Sequence, residues 1–261
     1  DGITKYEFAP VNGGALPEWN AGAHLDIVVA PEFLRQYSMS GDPADRSKFQ
    51  IAVLREEEGR GGSILMQRIF ALGRRVFVSH PINHFALAPQ ATKSFLMGGG
   101  IGITPMIAMA HELHAQGRDF AFHYSGRSRA SMGFLDELPT FPWADKVHLH
   151  ITDEDTRADF TAILSQPQTG AHLYTCGAER YMSAVMEAAE TAGFPEEARH
   201  LEYFSVPEVP DYVNHDFTLK LAKSNRSFHI PADKSATDVL AENGIHVDVK
   251  CSDGICGVCK C

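Results

Sequence analysis

Cys251-Ser-Asp-Gly-Ile-Cys256-Gly-Val-Cys259-Lys-Cys261 ends the 261-residue chain. The first three cysteines stand at C-x4-C-x2-C, the spacing of the ligand run for a plant-type [2Fe–2S] cluster. Two irons need soft thiolate ligands, and one short loop presents three of them. Gly254 and Gly257 lie between the ligands, where the backbone must curl without a side chain in the way. Four of the five cysteines fall in these last eleven residues, so they are not scattered core thiols. A zinc site would favour two C-x2-C pairs, or C-x2-C with histidines. The spacing therefore makes Cys251, Cys256 and Cys259 the candidate cluster ligands. The pattern needs a fourth cysteine well downstream, and both ends of the sequence read as cut from a longer polypeptide.

Working back from this tail, the length suggests two domains or slightly more. The 33 acidic residues outnumber the 23 basic ones, giving a net charge of −10. That argues against nucleic acid and against an anionic membrane surface as partners. No run of eighteen apolar residues predicts a membrane span, and no signal-peptide pattern opens the chain. Clustered thiolates fit a reducing, cytoplasmic setting better than a disulfide framework.

Residues 1–91 read as an antiparallel β-barrel. Leu25–Val29, Phe49–Leu54 and Val76–Val78 are short, β-branched and aromatic, with Gly and Pro turns between them. One helix is expected over Gly62–Ile69. From residue 92 to 205 strands and helices alternate, which predicts an α/β domain with a parallel sheet. The expected strands are Ser94–Met97, Phe120–Phe122, Val147–Ile151 and His172–Thr175. A helix carrying Met106, Met109, Ala110 and Leu113 on one face ends at Gly117. A second helical stretch is expected near Gly133–Leu138, and a third over Ala178–Ala192. Residues 206–213, with two prolines, read as a linker. Residues 214–261 form a third unit, with strands Phe217–Leu221 and Ser227–Ile230, a helix Ala236–Asn243 closed by Gly244, and the cysteines.

Three stretches carry chemistry. The loop Gly98-Gly-Gly-Ile-Gly-Ile-Thr-Pro105 joins a strand to a helix, where backbone N–H groups and a helix N-terminus receive a pyrophosphate. It is not the G-x-G-x-x-G fingerprint. Arg35-Gln-Tyr37-Ser38 lies on a barrel strand, whose alternation puts Arg35 and Tyr37 on one face. An arginine fork beside an aromatic ring suits a planar ligand bearing phosphate. Gly59-Arg-Gly61-Gly62-Ser63 opens the barrel helix and offers a second anion site. Cys176-Gly177 ends a strand at the edge where open α/β sheets bind ligands. His111 with His114, and His148 with His150, lack a third ligand and are not read as metal sites. Glu56-Glu-Glu58 reads as a solvated turn.

With Arg-x-Tyr-Ser, Arg-Gly-Gly-Ser, Gly-Gly-Ile-Gly-Ile-Thr-Pro and C-x4-C-x2-C in this order, the chain resembles the phthalate dioxygenase reductase family of the ferredoxin–NADP reductase superfamily. The resemblance spans essentially the whole chain. It implies an FMN-binding barrel, an NAD(P)H-binding α/β domain and a truncated β-grasp ferredoxin domain. Arg35, Tyr37 and Ser38 would hold the flavin, and Gly61, Gly62 and Ser63 its phosphate. The loop Gly99, Gly100, Gly102, Thr104 and Pro105 would face the nicotinamide nucleotide, with Cys176 and Gly177 bordering the nicotinamide. Phe204, in Glu202-Tyr-Phe-Ser205, matches an aromatic residue near the flavin ring. The strand that opens the family's barrel before Ile3, and the tail bearing the fourth ligand, are absent from this sequence, and Cys261 is additional to the pattern.

The implied activity passes hydride from NAD(P)H to FMN, and then single electrons through the [2Fe–2S] cluster to an oxygenase. That acceptor is either a separate Rieske-type component or a haem-thiolate monooxygenase fused to the reductase. Cofactors carry such chemistry, so no acid–base triad is expected, and Cys176 is the one candidate catalytic residue. The competing reading is a non-catalytic electron carrier or metal-binding module with a degenerate flavin site. The strand Phe120–Tyr124 runs into Ser125-Gly-Arg127-Ser-Arg129, which offers arginines and no acid. An arginine there accommodates a 2′-phosphate, so NADPH is expected to serve at least as well as NADH.

Overall fold

The computed structural model describes residues 2–31, 33–59, 61–165, 169–204 and 213–247. The chain divides into two compact units, residues 1–204 and 205–261.

The first unit begins with β1 (Ile3–Phe8), β2 (Ala23–Ala30), β3 (Phe33–Ser38), β4 (Phe49–Leu54), α1 (Gly62–Ile69), β5 (Phe77–Val78) and β6 (Ile82–Asn83). β1 pairs antiparallel with β4, from Ile3 opposite Leu54 to Phe8 opposite Phe49. β2 pairs antiparallel with β3, β5 and β6. An antiparallel bridge between Met39 and Ile51 joins the two sheets. Every second residue of β2 (Ala23, Leu25, Ile27, Val29) is buried in the core, as strand alternation requires.

A parallel sheet follows: β7 (Lys93–Gly99), α2 (Ile103–Ala115), β8 (Phe120–Gly126), β9 (Val147–Ile151), α3 (Phe160–Leu164), β10 (Ala171–Cys176), α4 (Glu179–Thr191) and β11 (Arg199–Glu202). The strand order is β11-β10-β7-β8-β9. The chain leaves β7 toward β8 and later returns to its other side as β10, so β7 and β10 flank the topological switch point. In open α/β sheets ligands bind at that point, outside the carboxyl ends of the strands.

Helix α2 is apolar almost all round, and Ile103 through Ala110 are buried. A helix of that composition belongs inside a core. It ends at Gly117 in the left-handed region (φ 66°), with Arg118 N donating to the Leu113 carbonyl. This is a glycine C-cap satisfying an otherwise unpaired carbonyl. One hydrophobic cluster contains Leu25, Phe49 and Met66 together with Leu96, Ile107, Phe122 and Trp143. The antiparallel and parallel parts thus share a core. Across the parallel sheet a second cluster holds Met97, Leu173, Val185 and Phe194.

One expected helix is corrected. Residues 133–138 form no α-helix; 3-10 turns stand at Arg129–Ser131 and Leu138–Thr140. Phe134 sits at φ 64°, in the left-handed region, and its carbonyl accepts from Glu137 N and Leu138 N. A left-handed residue cannot continue a right-handed helix. Gly133 and Pro139 flank this tight turn, and Phe134 and Leu138 are buried. Helix α3 and strands β6 and β11 lack sequence periods long enough to predict.

In the second unit β12 (Phe217–Leu221) and β13 (Arg226–Ile230) form an antiparallel hairpin, followed by α5 (Ala236–Glu242). Phe228, Ile230, Val239 and Leu240 make its core. Ser235 caps α5: its hydroxyl accepts from Asp238 N, while Asp238 accepts from Ser235 N. This reciprocal arrangement is a capping box. The linker, except Val213, and the cysteines Cys251, Cys256, Cys259 and Cys261 lie outside the described residues. Among the described residues no helix is long and apolar enough to cross a membrane.

Candidate functional site

The glycine loop and the end of β10 meet at the switch point. Gly98 is in register with Cys176, and Gly99 with Ser125 of β8. A Cβ on Gly102 would lie 2.2 Å from the Cys176 carbonyl oxygen. Only glycine allows this approach, so the loop is tied to β10 by the absence of a side chain. Gly100 has φ 56° and turns the chain into α2. Thr104 and Pro105 are buried in the first turn of α2, and the Thr104 hydroxyl donates to the Ile101 carbonyl at 3.1 Å. Tyr181 of α4 packs its ring against Gly99 and Gly177.

A cleft in the first unit is lined by Arg35, Tyr37, Ser38, Gly62, Ser63 and Phe204, with Ile101 and Thr104 from the glycine loop. The two loops predicted to hold different nucleotides therefore contribute to one wall. Arg35 lies across Gly62, where an added Cβ would be 2.4 Å from its Nε. The guanidinium also sits 5.1 Å from the Phe33 ring centroid. Burial pushes the Tyr37 hydroxyl up to about 12, so it remains a neutral hydrogen-bonding group at working pH. Gly61, at φ 78°, is the N-cap of α1. The Ser63 hydroxyl accepts from Glu56 N at 3.1 Å, and Glu56 also borders the cleft. Glu56, Glu57 and Glu58 are exposed, as expected of a solvated turn.

Cys176 is fully buried. Burial, with the Glu202 carboxyl close by, pushes its thiol well above the usual range. It is therefore a neutral thiol and not a nucleophile. Glu202 is the residue that sequence reasoning missed. It ends β11 in register with Cys176, and it accepts a hydrogen bond from the Ser38 hydroxyl at 2.7 Å. Desolvation pushes its carboxyl up to about 7, against the lowering effect of that bond. Its signal in the sequence was its place two residues before Phe204.

Arg127 and Arg129 follow β8 at the same sheet edge. Arg129 is paired with Glu154 through Nε at 2.6 Å and Nη2 at 3.1 Å. His111, His148 and His150 have structural partners. Trp143 Nε1 donates to His111 Nδ1 at 3.4 Å, and His148 and His150 stack on His123. Among the described residues no three His, Cys, Asp or Glu side chains are grouped to hold a metal ion.

An antiparallel β part with an Arg-x-Tyr-Ser cleft, joined to a parallel sheet whose glycine loop backs that cleft, defines a pyridine-nucleotide-dependent flavin oxidoreductase of the ferredoxin–NADP reductase type. Comparison with known proteins places it more closely. Residues 219–261 match the 2Fe-2S iron-sulfur cluster binding domain. The chain is 39% identical over 272 residues to the tert-butanol monooxygenase / tert-amyl alcohol desaturase reductase subunit of Aquincola tertiaricarbonis, covering 99% of this chain and 80% of that one. It superposes on the solved phthalate dioxygenase reductase with a TM-score of 0.79 at 35% identity, covering 99% of this chain and 81% of that one. On an intact type IV self-sufficient cytochrome P450 monooxygenase the TM-score is 0.87 at 40% identity. There the match covers 99% of this chain but only 34% of the larger protein. The chain belongs to the phthalate dioxygenase reductase family, the oxidoreductases that serve as reductase components of oxygenases. In the solved phthalate dioxygenase reductase electrons pass from pyridine nucleotides to [2Fe–2S].

Proposed function

We propose that the chain takes hydride from NAD(P)H onto FMN and delivers electrons one at a time, through a [2Fe–2S] cluster, to an oxygenase. In this reading residues 1–91 hold FMN, 92–205 hold the nucleotide and 214–261 hold the cluster. The carrying observation is the shared wall, where Ile101 and Thr104 of the nucleotide loop border the cleft of Arg35, Tyr37 and Phe204. The residues fit a flavin phosphate: the missing side chain at Gly62 lets Arg35 lie directly against the Gly61–Ser63 turn, and Gly61 beside it has open space.

When bound, FMN supplies the exchange between two-electron and one-electron chemistry. Arg35 and the Gly61–Ser63 turn bind the phosphate end. Tyr37 and Phe204 orient the ring system. Cys176 and Gly177 close the floor on the nicotinamide side and exclude water. Ser38 and Glu202 hold a proton between them beside the cleft, because a carboxyl near 7 is protonated in a large share of molecules at neutral pH. Cys251, Cys256 and Cys259 offer the thiolate donor set for the cluster. The likeness to the self-sufficient monooxygenase supports a second arrangement, in which the acceptor is a haem-thiolate domain of the same polypeptide.

Cofactor extraction with mass spectrometry, followed by anaerobic titration with NADH, tests this function. FMN bleached by NADH is the expected result. Recovery of FAD overturns the FMN assignment, and a colourless zinc-binding protein supports the carrier reading instead.

A further inference from the structure

Along the sequence, two arginines and no acid follow β8, which predicts NADPH. The folded chain supplies the acid from the turn after the next strand. β9 is in register with β8 up to Ile151 opposite Gly126. The turn that follows, Thr152-Asp153-Glu154-Asp155, therefore lies against Ser125–Arg129. Asp153 N donates to the Arg127 carbonyl at 2.9 Å, and the Thr152 hydroxyl donates to the Gly126 carbonyl at 3.4 Å. Asp155 takes a left-handed conformation (φ 57°), and its N–H returns to the Thr152 carbonyl. This fastened turn carries Glu154 onto Arg129 in a two-pronged pair at 2.6 and 3.1 Å.

We infer that Glu154 is a specificity-determining residue that favours NADH over NADPH by occupying Arg129 and placing a carboxylate at the adenosine ribose. The inference rests on the reading that the nucleotide crosses the carboxyl edge of β7 and β8. An arginine already engaged by a carboxylate offers a 2′-phosphate one net charge fewer than a free one. The phosphate must also approach the displaced Glu154. A free ribose 2′-hydroxyl meets neither obstacle, and it can donate to a carboxylate as in NAD-selective sites. What differs is the source of the acid: here it comes from the turn after β9, which a search along the second strand does not see. The pair is partly exposed, at 58% for Arg129 and 40% for Glu154. The discrimination is therefore graded, about tenfold, as screened charges at a surface allow.

Two measurements on the full chain test this. The first is calorimetric binding of 5′-AMP and of 2′-phospho-AMP, which needs no flavin turnover. The second is kcat/KM for flavin reduction by NADH and by NADPH. Glu154→Gln is expected to tighten 2′-phospho-AMP about tenfold, leave 5′-AMP within twofold, and raise the NADPH-to-NADH ratio of kcat/KM to match. Adding Arg129→Ala to Glu154→Gln is expected to abolish the gain. If 5′-AMP binds but Glu154→Gln leaves both ratios unchanged, Glu154 is not the discriminator. If neither adenosine ligand binds and neither nucleotide reduces the flavin, the nucleotide site itself is misplaced and the inference falls with it.

Discussion

Glu202 and Cys176 face each other across neighbouring strands, and their environments set opposite experiments. Glu202 has a folded value of about 7, above the ordinary 4.5. Folding therefore favours its protonated form. That contribution is present in full below the unfolded value and is lost as pH rises through the folded one. Wild-type protein should lose thermal stability relative to Glu202→Gln as pH rises from about 4.5 through about 7. Parallel melting curves for the two proteins across that range would show that Glu202 titrates normally. Cys176 is a buried, neutral thiol, and the proposed function makes it the floor of the nicotinamide side. Cys176→Ala should slow hydride transfer severalfold in stopped-flow reduction. The loss of one buried sulfur should cost about 1 kcal/mol, a few degrees in Tm at this chain length. Unchanged kinetics would reduce Cys176 to a packing residue.

At the scale of elements, three glycines at similar turns make different demands. A Cβ on Gly102 would meet backbone atoms of Cys176 and Gly177 within 2.6 Å. Backbone in a paired strand cannot move aside cheaply, so Gly102→Ala should cost about 1–3 kcal/mol and slow reduction by NAD(P)H as well. A Cβ on Gly62 would meet Cγ, Cδ and Nε of Arg35, a side chain that can turn aside where backbone cannot. Gly62→Ala should leave Tm nearly unchanged and weaken flavin binding, read by fluorescence of released flavin. Should Gly62→Ala lose stability and keep full flavin affinity, the phosphate cradle lies elsewhere. Gly100 has open space around it and φ 56°, leaving conformational strain as its sole objection to a side chain. These glycines were legible in the sequence because a strand–glycine–helix pattern is local. So were β2, β4, α1, α2 and the β12–β13 hairpin, whose apolar periods run through the whole element. Helix α3 has five residues, too few for a period to show. The Gly133–Leu138 turn has helical composition, but Phe134 takes a left-handed conformation to bury its ring. The Ser38–Glu202 and Arg129–Glu154 pairs span 164 and 25 residues. Such juxtapositions are products of the strand order, which no local pattern encodes.

At the scale of the whole molecule, the chain divides at residue 204 into two compact units. All the cleft residues, from Arg35 to Phe204, belong to the first unit. That unit also holds both ends of the shared hydrophobic core, including β2 and α2. The second unit has its own smaller core around Phe228 and Leu240. A segment of fewer than sixty residues is marginal without its metal, and metal binding is then part of its folding free energy. A chain ending at Phe204 should therefore fold, bind flavin and be bleached by NADH at the rate of the full chain. It should fail to reduce a one-electron acceptor protein. In the full protein, removal of iron should abolish the second unit's melting transition and leave the first within a few degrees. Calorimetry with and without iron measures this directly. The decisive comparison is flavin reduction after iron removal. If it slows in step with the loss of iron, the two units are energetically coupled, and the flavin step depends on residues beyond Phe204. If it is unchanged, the first unit is a complete NAD(P)H–flavin reductase, and the [2Fe–2S] unit governs only the onward release of electrons.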